Sequence, residues 1–130
     1  MDNRSICAFA WNSLAVRPNG DVMPCCRFDI YSNQRNDWGS LNANLDFRNN
    51  DLWRDLRRKM LAGERVAECR SCYEAEDFGQ NSMRTTNLDR LPNTLTEDCV
   101  DLTYLEMSFS NLCNLACVSC SVYCSSKWGT

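Results

Sequence analysis

The chain has no long hydrophobic run, no visible export signal and no excess of positive charge. No stretch approaches the length of a membrane span. The early apolar stretch from Ala8 to Val16 is interrupted by Asn12 and Ser13 and does not resemble a signal peptide. The net charge is -3, and the basic run at 57–59 fits the last turn of a helix. We therefore expect a cytoplasmic protein with no nucleic-acid partner and no membrane partner.

Histidine is also absent, whereas cysteine occurs 10 times in 130 residues. So many cysteines indicate either a secreted disulfide framework or a metal protein. A chain without an export signal is expected in a reducing compartment, where cysteine clusters more often bind metal. Because histidine is absent, zinc sites of the mixed Cys/His type are disfavoured. All-cysteine zinc sites and iron–sulfur clusters remain as candidates.

Three cysteines follow an apolar, strand-like run at 102–109 with the spacing Cys113-x3-Cys117-x2-Cys120. Three thiolates on one short loop can hold three irons of a cubane [4Fe–4S] cluster and leave the fourth iron open. An open iron can bind and reduce a small molecule, whereas a cluster with four cysteine ligands only passes electrons. We predict that the three Sγ atoms converge at the carboxyl end of this strand.

A second set of cysteines lies earlier in the chain and comprises Cys7, Cys25, Cys26, Cys69 and Cys72. A hairpin turn at Gly20 would bring Cys7 near Cys25, and Cys69-x2-Cys72 supplies two thiolates from one chain reversal. Only four cysteines can fill a four-coordinate site, and we predict that Cys26 is the one left in the core. The predicted ligands are Cys7, Cys25, Cys69 and Cys72. Spacing alone does not separate zinc from an iron–sulfur cluster here.

The hydrophobic pattern predicts a β-hairpin over residues 7–31, with Phe9 to Val16 as its first strand. Pro18-Asn19-Gly20-Asp21 is a strong turn signal, and Val22 begins the return strand. Gly20 permits the positive φ that a tight turn often needs. Residues 32–44 are rich in Asn, Ser and Gly and predict a loop.

A helix is predicted to begin near Asn49 or Asn50, either of which can cap it, and to stop at Gly63. Its apolar face is predicted from a spacing of four residues, and its basic run at 57–59 is expected to be solvated near the negative helix end. The apolar face comprises Leu52, Trp53, Leu56 and Met60.

A second, shorter helix is predicted from Tyr73 to Phe78. Its dipole would lower the pKa values of Cys69 and Cys72 and so favour metal ligation. Residues 79–98 predict mixed helix and loop.

The two cysteine sets together resemble a radical S-adenosylmethionine (SAM) enzyme with a twitch, or truncated SPASM, auxiliary domain. The motif at 113–120 after a strand is similar to the cluster loop of that family. Cys7-x12-Gly20-x4-Cys25, with the distant Cys69-x2-Cys72, is similar to the auxiliary motif. The resemblance extends from Cys7 to Trp128, with the auxiliary domain placed first, as in a less common subgroup.

The resemblance implies two [4Fe–4S] clusters and SAM as cofactors. Cys113, Cys117 and Cys120 would hold the cluster whose open iron chelates SAM, and the earlier set would hold the auxiliary cluster. An external one-electron reductant would drive cleavage of SAM to a 5′-deoxyadenosyl radical. Relatives often modify peptides or proteins, so the expected substrate is of that class, and the auxiliary cluster would relay electrons or hold it.

The predicted fold class is α+β. Residues 1–98 would form a small Cys-rich auxiliary domain of β-hairpin and helix. Residues 99–130 would supply the first strand and cluster loop of an incomplete (β/α) barrel. Because a complete barrel of this kind takes ~200 residues, we expect the N-terminal part of a longer enzyme, inactive by itself.

Two other functions fit the same cysteines. A zinc-stabilised four-cysteine binding module would have no redox chemistry. An electron-transfer protein with two clusters would need a fourth protein ligand near 113–120, for which Cys124 is the candidate.

Overall fold

The computed structural model describes residues 4–29, 38–40, 47–98 and 102–108, together with positions 112, 115, 117 and 118. Its helices and strands are, in chain order, α1 (Phe9–Asn12), β1 (Ser13–Val16), β2 (Val22–Met23), α2 (Asp51–Leu61), α3 (Arg70–Asp77), α4 (Met83–Thr86) and β3 (Tyr104–Met107). This mixture confirms the α+β class. Within these residues no helix is both long enough and apolar enough to cross a membrane.

In the described part of the chain, the strands form one sheet with the order β2-β1-β3. β1 pairs antiparallel with β2, with Val16 opposite Val22, and parallel with β3, with Val16 opposite Met107. All four residues of β1 are buried, as is usual for a central strand. The sheet therefore joins the N-terminal hairpin to the segment predicted to begin a barrel. The incomplete barrel and the domain boundary at 98/99 stay predictions.

The hairpin turn has the geometry that its residues predict. The backbone N–H of Gly20 donates to the carbonyl of Arg17 at 2.9 Å, and Arg17 donates to the carbonyl of Asp21 at 2.9 Å. Gly20 has φ = 91°, which a residue with a Cβ atom rarely adopts. The turn thus returns the chain so that Cys25 lies near Cys7.

The prediction of a strand from Phe9 to Val16 is wrong for its first half, because Phe9–Asn12 form the short helix α1. The backbone N–H of Asn12 donates to the carbonyl of Ala8 at 3.1 Å, which closes a helical turn. All residues of α1 are buried. A run that is buried on every side shows no useful periodicity, so its apolar character does not distinguish helix from strand.

Helix α2 begins and ends as its sequence predicts. The side chain of Asn50 accepts a hydrogen bond from the backbone N–H of Trp53 at 3.1 Å, and Asp51 lies in the first turn. Gly63 follows the helix with φ = 85°. The predicted apolar face packs inward, since Trp53, Leu56 and Met60 are all buried and Leu52 packs against them.

The prediction of a solvated basic side is wrong for Arg57, which is fully buried. Its guanidinium donates to the carbonyls of Ala10 at 2.8 Å, Glu97 at 2.9 Å and Arg48 at 2.9 Å. These acceptors belong to α1, to the segment before β3 and to the turn before α2. Arg57 therefore ties three distant segments together from the middle of one helix.

The core lies where α1, β1 and β2 meet the apolar face of α2. Aromatic rings fill one side of the core and pack edge to face. The ring centroids of Phe28 and Trp38 are 4.6 Å apart, and those of Trp38 and Trp53 are 5.8 Å apart. The indole N–H of Trp53 donates to the carbonyl of Trp38 at 2.6 Å. Trp38 thus anchors the segment 38–40 to α2.

Strand β3 is shorter than the predicted 102–109 run, and Phe109 lies outside the described residues. Side chains alternate along it: Tyr104 and Glu106 are half-buried, while Leu105 and Met107 are exposed. The ring of Tyr104 contacts that of Phe9 at 5.3 Å. Tyr104 therefore marks the side of the strand that faces the core.

Replacing Arg57 with Ala should reduce the free energy of unfolding by about 3 kcal/mol or more, since three partly or fully buried carbonyls lose a charged donor. Denaturant unfolding measures the loss. Arg58→Ala is the matched control on the same helix, because its ion pairs with Asp55 and Glu97 are exposed and should contribute little. Equal effects of the two variants would contradict the structural role of Arg57.

Candidate metal centre

One pocket brings four of the predicted ligands together. It has about 310 Å³ of empty space, part of which is open solvent, and is lined by Cys7, Phe9, Cys25, Arg27, Cys69, Ser71, Cys72, Met83 and Arg84. The four thiols come from three stretches of chain: the segment before α1, the turn after β2, and the start of α3. Chain segments far apart in sequence therefore contribute to a single cavity.

The Cys7 segment is held from both sides by hydrogen bonds of its neighbours. The hydroxyl of Ser5 donates to the carbonyl of Met60 at 2.7 Å, and the phenol of Tyr73 donates to the carbonyl of Ser5 at 2.8 Å. Ser5 and Ile6 are both 1% exposed, so this segment lies in the interior. Cys7 is consequently fixed between α2 and α3.

Cys25 reaches the pocket from a turn that follows β2. The backbone N–H of Phe28 donates to the carbonyl of Cys25 at 3.2 Å, and that of Asp29 donates to the carbonyl of Glu68 at 2.9 Å. The second bond ties the Cys25 turn directly to the turn that contains Cys69. These two cysteines are therefore adjacent in space because their backbones are joined.

Cys69 ends the 3-10 turn Ala67–Cys69 and is the N-cap of α3, and Cys72 lies in the first turn of that helix. The helix starts at Arg70, so the predicted start at Tyr73 is wrong. The predicted lowering of thiol pKa at this pair is also wrong for Cys69. Burial raises the pKa of Cys69 well above its usual value, with further increases from the thiols of Cys7 and Cys25.

Burial governs the ionisation of Cys7 and Cys25 as well. The pKa of Cys7 is raised to about 11 and that of Cys25 to about 12, chiefly by burial and to a smaller extent by neighbouring cysteine thiols. Four thiols in one low-dielectric pocket cannot all ionise unless a cation compensates them. Thiolates are the form that binds metal, so a cationic metal group would replace their protons on binding.

Two features of the pocket were not predicted from the sequence. Phe9 and Met83 supply apolar walls, and Arg84 supplies a guanidinium that is itself 4% exposed. Arg84 lies in the polar 79–98 segment, and no local pattern there sets it apart from exposed arginines. Its place at the pocket follows from its hydrogen bonds to Glu76 of α3 and to the carbonyl of Ile6.

Cys26 is exposed, so its prediction as a buried core residue is wrong. It does not line the pocket, although Cys25 beside it does. Burial raises the pKa of the Cys26 thiol, followed by the charge of Glu106 and a hydrogen bond to that carboxylate. The two residues lie in the turn after β2, where the chain changes direction, so their side chains have different surroundings.

The later cysteine motif falls mostly outside the described residues. Cys113 and Cys120 are not among them, and Cys117 is exposed. The convergence of these three thiols on one pocket stays a prediction.

The pocket suits a metal group of some size. Its donors are four soft thiols, the ligands that zinc and iron–sulfur clusters share. They come from three segments and line a common cavity. A polynuclear cluster is held by thiolates at its corners, so it fits thiols placed around a space.

Residues 7–73, just over half of the chain, match the family model SPASM, which is described as an iron–sulfur cluster-binding domain. The match begins at Cys7 and ends one residue after Cys72, so it contains all four pocket cysteines. No curated protein and no solved structure matches the chain.

Thiol labelling should distinguish pocket cysteines from their neighbour. In the metal-loaded protein, iodoacetamide should modify exposed Cys26 and spare Cys7, Cys25, Cys69 and Cys72, as read by peptide mass spectrometry. After metal removal, the three thiols whose pKa is raised most should still react slowly, because the thiolate is the nucleophile. Protection of Cys26 together with labelling of Cys25 would contradict this ligand assignment.

Proposed function

Because the chain belongs to the SPASM family of iron–sulfur cluster-binding domains, we propose that Cys7, Cys25, Cys69 and Cys72 hold an auxiliary [4Fe–4S] cluster of a radical SAM enzyme. The observation that carries the proposal is that thiols from three separate segments line one pocket. The family match over the same cysteines supports iron–sulfur over the zinc module that spacing alone left open.

The protein's own residues would bind, charge-balance and shield the cluster. Four cysteine ligands leave no open iron, so a cluster held this way supplies electron transfer and not direct binding of a small molecule. Phe9 and Met83 would limit water at the pocket wall, and the buried segment around Cys7 and the hydrogen-bonded turn at Cys69 would position the ligands before binding. These features support the electron-relay role of the two roles expected for an auxiliary cluster.

Substitution of the ligands should cost metal and stability together. Cys7→Ala and Cys72→Ala should each lower iron and sulfide content after anaerobic reconstitution and lower the melting temperature, because metal binding is coupled to folding. Cys26→Ala, beside a ligand but outside the pocket, is the matched control and should keep both. Loss of iron in Cys26→Ala but not in Cys25→Ala would refute the assignment. Stoichiometric zinc without visible absorption would favour the binding module.

We propose further that Cys113, Cys117 and Cys120 hold a second cluster, at which SAM is reductively cleaved with an electron from an external donor. The support is the three-cysteine spacing after a strand and the resemblance to radical SAM enzymes. β3 is part of the same sheet as the hairpin that precedes Cys25, so the two cysteine sets are linked through β1. A peptide or protein is the proposed substrate class.

The second cluster can be tested independently of the first. The triple variant Cys113→Ala/Cys117→Ala/Cys120→Ala should lose part of the iron and lose any change in the electron paramagnetic resonance spectrum on adding SAM. Cys124→Ala is the matched control and should behave as the parent chain. Iron loss in Cys124→Ala, with no effect of SAM on the parent, would favour the two-cluster electron-transfer protein. Formation of 5′-deoxyadenosine under strong reductant measures the cleavage itself.

A further inference from the structure

Arg84 brings a buried positive charge to the cysteine pocket. Its side chain lines the same cavity as Cys7, Cys25, Cys69 and Cys72, yet the residue is only 4% exposed. The pocket's other arginine, Arg27, is exposed to solvent. Two guanidinium groups therefore line one cavity in very different surroundings.

Arg84 is held in one orientation by partners on several sides. Its Nη1 donates to the carbonyl of Ile6 at 2.8 Å, which directly precedes Cys7. Its Nε donates to Glu76 at 3.1 Å, and its Nη2 forms an ion pair with the same carboxylate. The guanidinium also lies over the ring of Tyr73, 5.5 Å from the centroid. A charge fixed in this way cannot turn away from the pocket.

Glu76 partly balances the positive charge of Arg84. Its carboxylate also accepts a hydrogen bond from the hydroxyl of Ser82 at 2.9 Å. Of the ion pair, Arg84 is the member that lines the pocket. The pair therefore presents its positive member, Arg84, to the thiols.

We propose that Arg84 raises the reduction potential of the cluster held by Cys7, Cys25, Cys69 and Cys72, and that Glu76 limits this effect. The inference rests on the proposed function of the pocket. Reduction adds one electron from an external donor and no proton, so the site becomes more negative by one charge. A positive charge that solvent does not screen favours the more negative state, and net charge is one of the factors that set cluster potentials.

Arg84 also has a structural contact, because it binds the carbonyl of Ile6 and so supports the Cys7 segment. Loss of cluster on changing Arg84 would follow from that contact alone. The reduction potential of the loaded protein separates the two effects, since a purely structural arginine would leave the potential unchanged.

The test uses the full chain carrying the triple alanine substitution at 113, 117 and 120, so that only the pocket cluster is titrated. Redox titration with dithionite, followed by electron paramagnetic resonance, gives the potential. Arg84→Gln should lower the equilibrium constant for reduction about tenfold, which is a shift of about 59 mV for one electron. Glu76→Gln should shift the potential upward. Arg27→Gln, which removes the same charge from an exposed position in the same pocket, should shift it much less.

The outcomes separate this inference from the proposed function. A parent chain that takes up no iron and sulfide would overturn the proposed function and, with it, this inference. A loaded Arg84→Gln protein with an unchanged potential, or with the same shift as Arg27→Gln, would overturn only the role of Arg84. If Arg84→Gln loses its cluster, the reduction potential of Glu76→Gln tests the inference instead, because that variant leaves Arg84 in place. An unchanged or lowered potential in Glu76→Gln would then overturn the inference.

Discussion

The pocket depends on three separate stretches of chain placing their thiols next to one another, and backbone and side-chain hydrogen bonds hold those stretches together. The hairpin returns Cys25 toward Cys7, and the bond from Asp29 to Glu68 joins the Cys25 turn to the Cys69 turn. The phenol of Tyr73 then closes the arrangement by binding the backbone of the Cys7 segment. None of these contacts involves a thiol, so the frame is set by backbone geometry and ordinary hydrogen bonds.

Burial makes this pocket unfavourable for free thiolates and favourable for a cationic group. Burial raises the pKa values of Cys7, Cys25 and Cys69, and the neighbouring thiols contribute to the increase. A bound cluster would offset the burial of the thiolates and their mutual repulsion, because its iron ions supply positive charge to the pocket. The same exclusion of water increases the influence of any fixed charge at the pocket wall, and Arg84 is such a charge.

Arginine has two different roles in this small protein, and both depend on burial. Arg57 joins three segments through backbone carbonyls, and Arg84 joins the Cys7 segment to Glu76 beside the pocket. Arg58, next to Arg57 in sequence, makes only exposed ion pairs. A guanidinium can donate several bonds in one plane, which lets it satisfy carbonyls from separate elements at once.

The sequence by itself determined the features that depend on neighbouring residues. Gly20 indicates the hairpin turn, and Asn50 with Gly63 indicates the limits of α2, because a turn or cap needs only residues a few positions apart. The grouping of the pocket cysteines was predicted from spacing and resemblance, and their identity as ligands stays a prediction. The cysteine count and the absence of histidine reduced the candidate metal sites to all-cysteine zinc sites and iron–sulfur clusters.

The tertiary structure alone decided the features that depend on distant contacts. Phe9–Asn12 form a helix although their apolar run, buried on all sides, has no period that would indicate one, and Arg57 is buried because carbonyls from other elements accept its hydrogen bonds. Cys26 is exposed, and Arg84 is held at the pocket by bonds to Glu76 and to the carbonyl of Ile6, both in other segments of the chain. Burial is a property of the folded chain as a whole, so the residues near a polar side chain in sequence do not predict whether it will be buried.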